Sequence, residues 1–137
     1  MAYLLDTSII VELLRKNQAV YDFLAAHKDD VFTTSTLCVF EIASGIYRAP
    51  AKDQTKYQNQ AKALFGTLSE VLPFTVEQAD VAGAIHAELA RTGRLIDDVD
   101  VLIAATALAS RSTLVTFNTK HFARIKGLII MSPVKMH

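Results

Sequence analysis

The stretch YLLDTSIIVELL, residues 3–14, decides the fold. Tyr3, Leu4 and Leu5 form a short apolar run closed by Asp6. Thr7 and Ser8 then open a segment in which Ile9, Ile10, Leu13 and Leu14 recur at helical spacing. The same alternation repeats along the chain. Val20, Phe23 and Leu24 predict a second short helix ending near Lys28, and residues 31–34, β-branched and aromatic, predict a strand. Ser35 can cap a helix running to about Arg48, with Pro50 beyond its end. Residues 52–69 are polar except for a stripe of Ala61, Leu64, Phe65 and Leu68, the pattern of an amphipathic surface helix.

Residues 71–74 are again strand-like. Thr75 with Gln78 makes a capping box for a helix through about Arg91, which Gly93 stops. Asp97 or Asp98 caps the next helix, to about Ser110, and strands follow at 114–117 and 128–130. Short apolar strands alternating with helices predict an α/β fold. The expected architecture is a three-layer α/β/α sandwich with a central, mainly parallel sheet, in one domain over residues 1–137.

The bulk properties narrow the function. Of 137 residues, 51% are hydrophobic and 20% charged, a composition that builds a core rather than a disordered chain. The single cysteine, Cys38, excludes an internal disulfide and a cysteine metal cluster. Asp6 and Glu12 interrupt any secretory apolar segment, and the longest apolar run, 101–109, is far short of the ~20 residues that span a bilayer. A cytoplasmic protein without a membrane segment is expected. Net charge is zero, but the charges are unevenly placed. From Arg91 onward, Arg91, Arg94, Arg111, Lys120, Arg124, Lys126 and Lys135 stand against Asp97, Asp98 and Asp100. A basic C-terminal third can serve a polyanion or be a solvated surface.

Three acids carry the chemistry. Asp6 directly follows the first strand, where open α/β sheets bind ligands, although Asp is also favoured there as a helix cap. Glu41 is flanked by Leu37, Cys38, Val39, Phe40, Ile42, Ala43 and Ile46, so its helix has almost no polar face. A helix apolar all round is normally buried, and a buried glutamate is costly unless paired or bound to a cation. The alternative is an exposed strip shared with Ser44 and Arg48. Asp100 precedes Val101, Leu102, Ile103, Ala104 and Ala105 near a helix N-terminus, where the ionised form is favoured. If the sheet gathers all three, like-charge repulsion raises at least one pKa and a hard divalent cation relieves it, with magnesium the best match. The five glycines are scattered, so no phosphate-cradling loop is present. His27, His86, His121 and His137 lack zinc-ligand spacing, and no serine lies in a nucleophile elbow.

These residues together resemble the PIN-domain nucleases, and within them the VapC toxins of bacterial toxin–antitoxin modules. The resemblance shows in Leu4-Leu5-Asp6-Thr7-Ser8, in Glu41 inside an apolar helix, in residues 100–105 (DVLIAA) and in residues 114–118 (LVTFN) followed by Phe122. It implies RNA cleavage dependent on magnesium or manganese, a VapB-type antitoxin that blocks the site, and a homodimer. It further implies that Asp6 and Asp100 hold the metal, with Glu41 completing the cluster or orienting the attacking water. Thr7, Ser8, Thr116 and Asn118 would support the acids, and basic residues of the C-terminal third would hold the RNA backbone. Two positions depart from the family pattern: Ser8 stands where Asn is usual, and Asn118 where many members carry a fourth acid, with His121 close by. For the antitoxin, Ile9, Ile10, Leu13 and Leu14 with the 52–69 helix are the expected groove. Two rival readings remain. A response-regulator-like module would need an acidic pair at the first strand and an Asp ending a middle strand, which are missing; a catalytically inactive PIN-like binding module rests only on Asn118.

Overall fold

The computed structural model describes residues 1–133 and has the expected alternation. In chain order the elements are β1 (Ala2–Leu5), α1 (Thr7–Leu14), α2 (Gln18–Ala26), β2 (Val31–Ser35), α3 (Thr36–Tyr47), α4 (Ala51–Thr67), β3 (Glu70–Leu72), α5 (Val76–Arg91), α6 (Asp98–Ala109), β4 (Thr113–Val115), α7 (Thr119–Phe122) and β5 (Ile130–Met131). Lys135 and His137 lie outside the described residues. The sheet has the order β3-β2-β1-β4-β5 and every pairing in it is parallel.

The central strands are buried at consecutive positions, and because successive side chains point to opposite faces they feed two separate cores. Leu4 and Leu114 join one core with Ile103, Ala104, Ala107 and Phe122, which is covered by α5, α6 and α7. Tyr3, Leu5 and Val115 join another with Ile9, Ile10, Leu13, Val20 and Ala61, from α1, α2 and α4. This is the three-layer α/β/α sandwich. The N-caps expected at Ser35, Thr75 and Asp97 each accept from a backbone N–H in the first turn, and the structure adds one at Asn17, ahead of α2. The capping box at Thr75 is only half formed. Gln78 Nε2 turns instead to the Pro73 carbonyl while its Oε1 accepts from Thr106 Oγ1 at 2.8 Å, tying α5 to α6. Gly93 takes φ +67 after α5, a conformation that ends a helix readily only with glycine.

The short helix α7 was not expected; its four residues are too few for a periodic signal. β3 stops at Leu72 because Pro73 cannot donate to the ladder. No helix among the described residues is long and apolar enough to cross a membrane. The chain order sets up the site. From β1 the sheet grows to β2 and β3 on one side, then to β4 and β5 on the other. The switch point, and hence the crevice, lies between the carboxyl ends of β1 and β4.

Candidate active site at the carboxyl ends of β1 and β4

Asp6 lies on that crevice. The pairing of Leu5 with Val115 continues in a bond from the Asp6 N–H to the Val115 carbonyl at 3.0 Å, which brings Asp6 beside Thr116. Asp6 occupies the N-cap position of α1, yet its carboxylate makes no cap hydrogen bond. It is 4% exposed, and its Oδ2 accepts from Thr116 Oγ1 at 2.7 Å and Ser8 Oγ at 3.0 Å. The cap alternative therefore fails for its side chain. Ser8 Oγ in turn accepts from the Phe117 N–H at 3.1 Å, and Thr116 Oγ1 from the Asn118 N–H at 2.9 Å. The two hydroxyls thus bolt the loop after β4 to the first turn of α1. Serine at position 8 does this with a single short donor.

Glu41 comes from α3 and is held by Thr7, whose Oγ1 donates to its Oε1. Its pKa is raised, first by burial and then by the charges of Asp6 and Asp97, against the lowering effect of the Thr7 bond. Asp100, in the first turn of α6, is pushed up to about 7 by burial and by Asp6, Asp97 and Glu41. The fold therefore gathers the three predicted acids into one electrostatic neighbourhood, each from a different helix start or helix face. It also adds Asp97. Read from sequence as a cap, Asp97 does cap α6, its Oδ1 accepting from the Val99 N–H at 2.9 Å, but its charge also bears on both Glu41 and Asp100. Asp98 turns away, 3.7 Å from His86 of α5. The signal for Asp97 was the triplet of acids at 97, 98 and 100, more than one cap requires.

Asn118 supports the cluster differently from what was expected. Its side-chain amide pairs with His121 Nδ1 at 3.0 Å, and only its backbone N–H reaches the Asp6 network, through Thr116. Cys38 is buried, its thiol pushed up to about 11 mainly by burial, so it stays protonated and supplies no ligand.

Among the described residues no three Asp, Glu, His or Cys side chains are arranged to hold one ion between them. The donor set nonetheless fits a hard cation. It is all oxygen, and an ion of the magnesium kind needs only one or two carboxylates, its other positions being water. Burial, and after it the charges of Asp6, Asp97 and Glu41, raise Asp100 to about 7, an environment that a bound cation would relieve.

Two other expectations are corrected. Of the residues expected to form a groove, Ile9, Ile10 and Leu13 are buried by α1 against the sheet, while Leu14 and, from the 52–69 helix, Tyr57 do line a cavity, together with Ile42 and Ile46. The apolar groove, about 270 Å³, lies between α3 and α4 and is lined by Val39, Ile42, Ile46, Tyr47 and Phe65 among others. Nor is α3 buried all round: Cys38 and Ile42 are buried, but Phe40 and Tyr47 are 59% and 66% exposed.

Comparison with known proteins agrees with this geometry. The PIN domain family model matches residues 3–128. Ribonuclease VapC2 of Rickettsia felis is 34% identical over 135 residues, covering 95% of this chain and 96% of its own. The tRNA(fMet)-specific endonuclease VapC of Shigella flexneri is 31% identical, covering 93% of this chain and 95% of its own. Among solved structures, VapBC2 from Rickettsia felis bound to a DNA fragment from its promoter superposes with a TM-score of 0.88 at 28% identity, covering 96% of this chain and 98% of that one.

Proposed function

The chain belongs to the PIN-domain family, and on that premise we propose that it is a divalent-metal-dependent endoribonuclease acting as the toxin of a toxin–antitoxin pair. One observation carries the reading. Asp6, Glu41, Asp97 and Asp100 come from three segments and lie close enough for their charges to act on one another, and burial followed by those charges lifts Asp100 to about 7. Nothing in the core packing asks for that charge. A site that binds a cation does.

In this reading Asp6 and Asp100 hold magnesium or manganese, directly or through water, and Glu41 completes the cluster or orients the attacking water. The chemistry such a cation supplies is a water of lowered pKa and charge neutralisation on the phosphate. The chain's own residues do the positioning. Thr116 and Ser8 both donate to Oδ2 of Asp6, which fixes its rotamer and leaves Oδ1 outside these two bonds. Thr7 holds Glu41 in the same way. Asp97 adds a further negative charge acting on Glu41 and Asp100.

The relatives are named as ribonucleases, and the superposed structure is a toxin–antitoxin complex. RNA is accordingly the proposed substrate and a VapB-type protein the proposed inhibitor, its helix seated between α3 and α4. A homodimer, a single domain over the whole chain and a cytoplasmic location belong to the same proposal. The test is cleavage of RNA by the purified chain with magnesium, with manganese and with EDTA, for the parent and Asp100→Asn. Cleavage by the parent alone, and only with a cation, is the expected result. Cleavage at the parent rate by Asp100→Asn defeats the site.

A further inference from the structure

An acidic centre repels the polyanion it is meant to cut, so the binding energy for RNA must come from elsewhere on the surface. A second cavity, about 570 Å³, opens between the C-terminal half of α5 and the segment after α7. Its floor is apolar, with Ile85 and Leu89 on α5 facing Ile125. Its rim carries Arg94, Arg124 and Lys126, and its one acid, Glu88, is already paired with Arg91 at 2.6 Å. Glu88 also feels the charge of Lys126, so the groove is cationic by the excess of Arg94, Arg124 and Lys126 over that one acid.

It is also tied to the site. Arg124 Nη1 donates to the carbonyls of Leu95 and Arg94 at 3.1 and 3.4 Å, and that loop runs on directly into Asp97 and Asp100. On its other side Arg124 follows α7, whose first turn holds Asn118 and His121. The groove thus has a wall from each of two segments that frame the acids. The basic residue Arg111, by contrast, precedes β4, at the opposite end of the sheet.

We infer that this groove is a subsite for the RNA strand flanking the scissile bond, with Arg94, Arg124 and Lys126 on its phosphates and the Ile85–Leu89 floor against a base or ribose. The inference rests on the ribonuclease reading for its substrate. The charge complementarity and the mixed floor favour a single strand, whose bases are free to lie on an apolar surface while the backbone meets the rim.

The test separates the two readings by measuring binding without cleavage. A fluorescein-labelled single-stranded RNA is titrated with the full chain in EDTA at several salt concentrations, for the parent, Arg94→Glu, Lys126→Glu and the double variant. Arg94 and Lys126 are exposed, so these variants fold, which thermal melts check. The expected result is affinity lowered by roughly tenfold or more in the double variant, with the salt slope reduced by ~0.7 for each lost phosphate contact. Unchanged affinity and slope overturn the subsite. So does a variant that binds RNA normally but no longer binds the antitoxin, since the groove would then take protein. Absence of metal-dependent cleavage by the parent strikes the nuclease reading and leaves the binding result to stand by itself.

Discussion

Helices α3 and α6 read alike in sequence and behave differently in the fold. Each is almost wholly apolar, each is twelve residues long, and each carries one acid of the site, Glu41 or Asp100. α6 is a core helix: Val101, Ile103, Ala104, Ala105, Thr106 and Ala107 are all buried between the sheet and α5. α3 lies at the margin, with only Cys38 and Ile42 buried and Phe40 and Tyr47 facing water. Apolarity all round therefore has two causes. In α6 it reflects neighbours within the chain on every side; in α3 it marks a face that the single chain leaves uncovered, as expected of a helix that meets a partner.

The largest expected effects fall on Asp100 of α6 and on Asp6, whose charge acts on both helix-borne acids. Asp100→Asn and Asp6→Asn each lower RNA cleavage by on the order of a hundredfold or more, the scale of a group that stabilises charge in the transition state. The metal-free variants melt no lower than the parent, because a repelling charge has been removed. Glu41→Gln follows the same pattern if α3 places it in the cluster as α6 places Asp100. Thr116→Val is next. It keeps the volume but removes the donor to Asp6 and the acceptor for the Asn118 N–H, and a supporting residue of this kind costs about 10–100-fold in activity or metal affinity. Retention of full activity by Thr116→Val would show that Asp6 is oriented by other means.

Packing separates the helices in a second way. Ile103→Ala, in a fully buried position of α6, costs about 2–5 kcal/mol of stability. Phe40→Ala in α3 changes it by no more than ~0.5 kcal/mol, as exposed sites do. Chemical denaturation of both variants checks the contrast. A Phe40→Ala protein that loses as much as Ile103→Ala would mean that α3 is covered in the protein as purified.

The sequence carried the fold because its signals were local. The run closed by Asp6, the caps at Ser35, Thr75 and Asp97, and the short apolar and β-branched strand runs each depend on a few neighbouring residues. Asp6, Glu41 and Asp100 were legible as acids set against apolar surroundings. What could not be read was direction. Burial of Ile9 and Ile10 against the sheet, and exposure of Phe40, depend on which elements the topology brings alongside. Asp97 was legible as a cap because that is a two-residue contact, while its field on Glu41 depends on a distance across the crevice. Asn118 was placed correctly after β4, but the pairing of its amide with His121 arises in α7, a helix too short to announce itself.

The last expected effect is in the pH dependence of the metal-free protein, and it follows from Asp100 with its sign worked out. The carboxyl is raised from 3.8 to about 7 in the folded chain, so folded protein holds that proton more tightly than unfolded protein does. Below the unfolded value both states are protonated and the group imposes no burden. As pH rises toward 7 the unfolded chain has released its proton while the folded chain is still releasing it, and stability falls across that window. Glu41 is raised in the same direction and adds to the fall. Asp100→Asn removes the larger contribution. In EDTA the melting temperature of the variant therefore exceeds the parent's by a margin that is small near pH 4, grows through neutrality and levels off above about 7. A margin that is constant across the range, or that shrinks as pH rises, would mean that Asp100 is not desolvated among like charges, and the distinction drawn between a core helix with a strained acid and a marginal one would lose its electrostatic half.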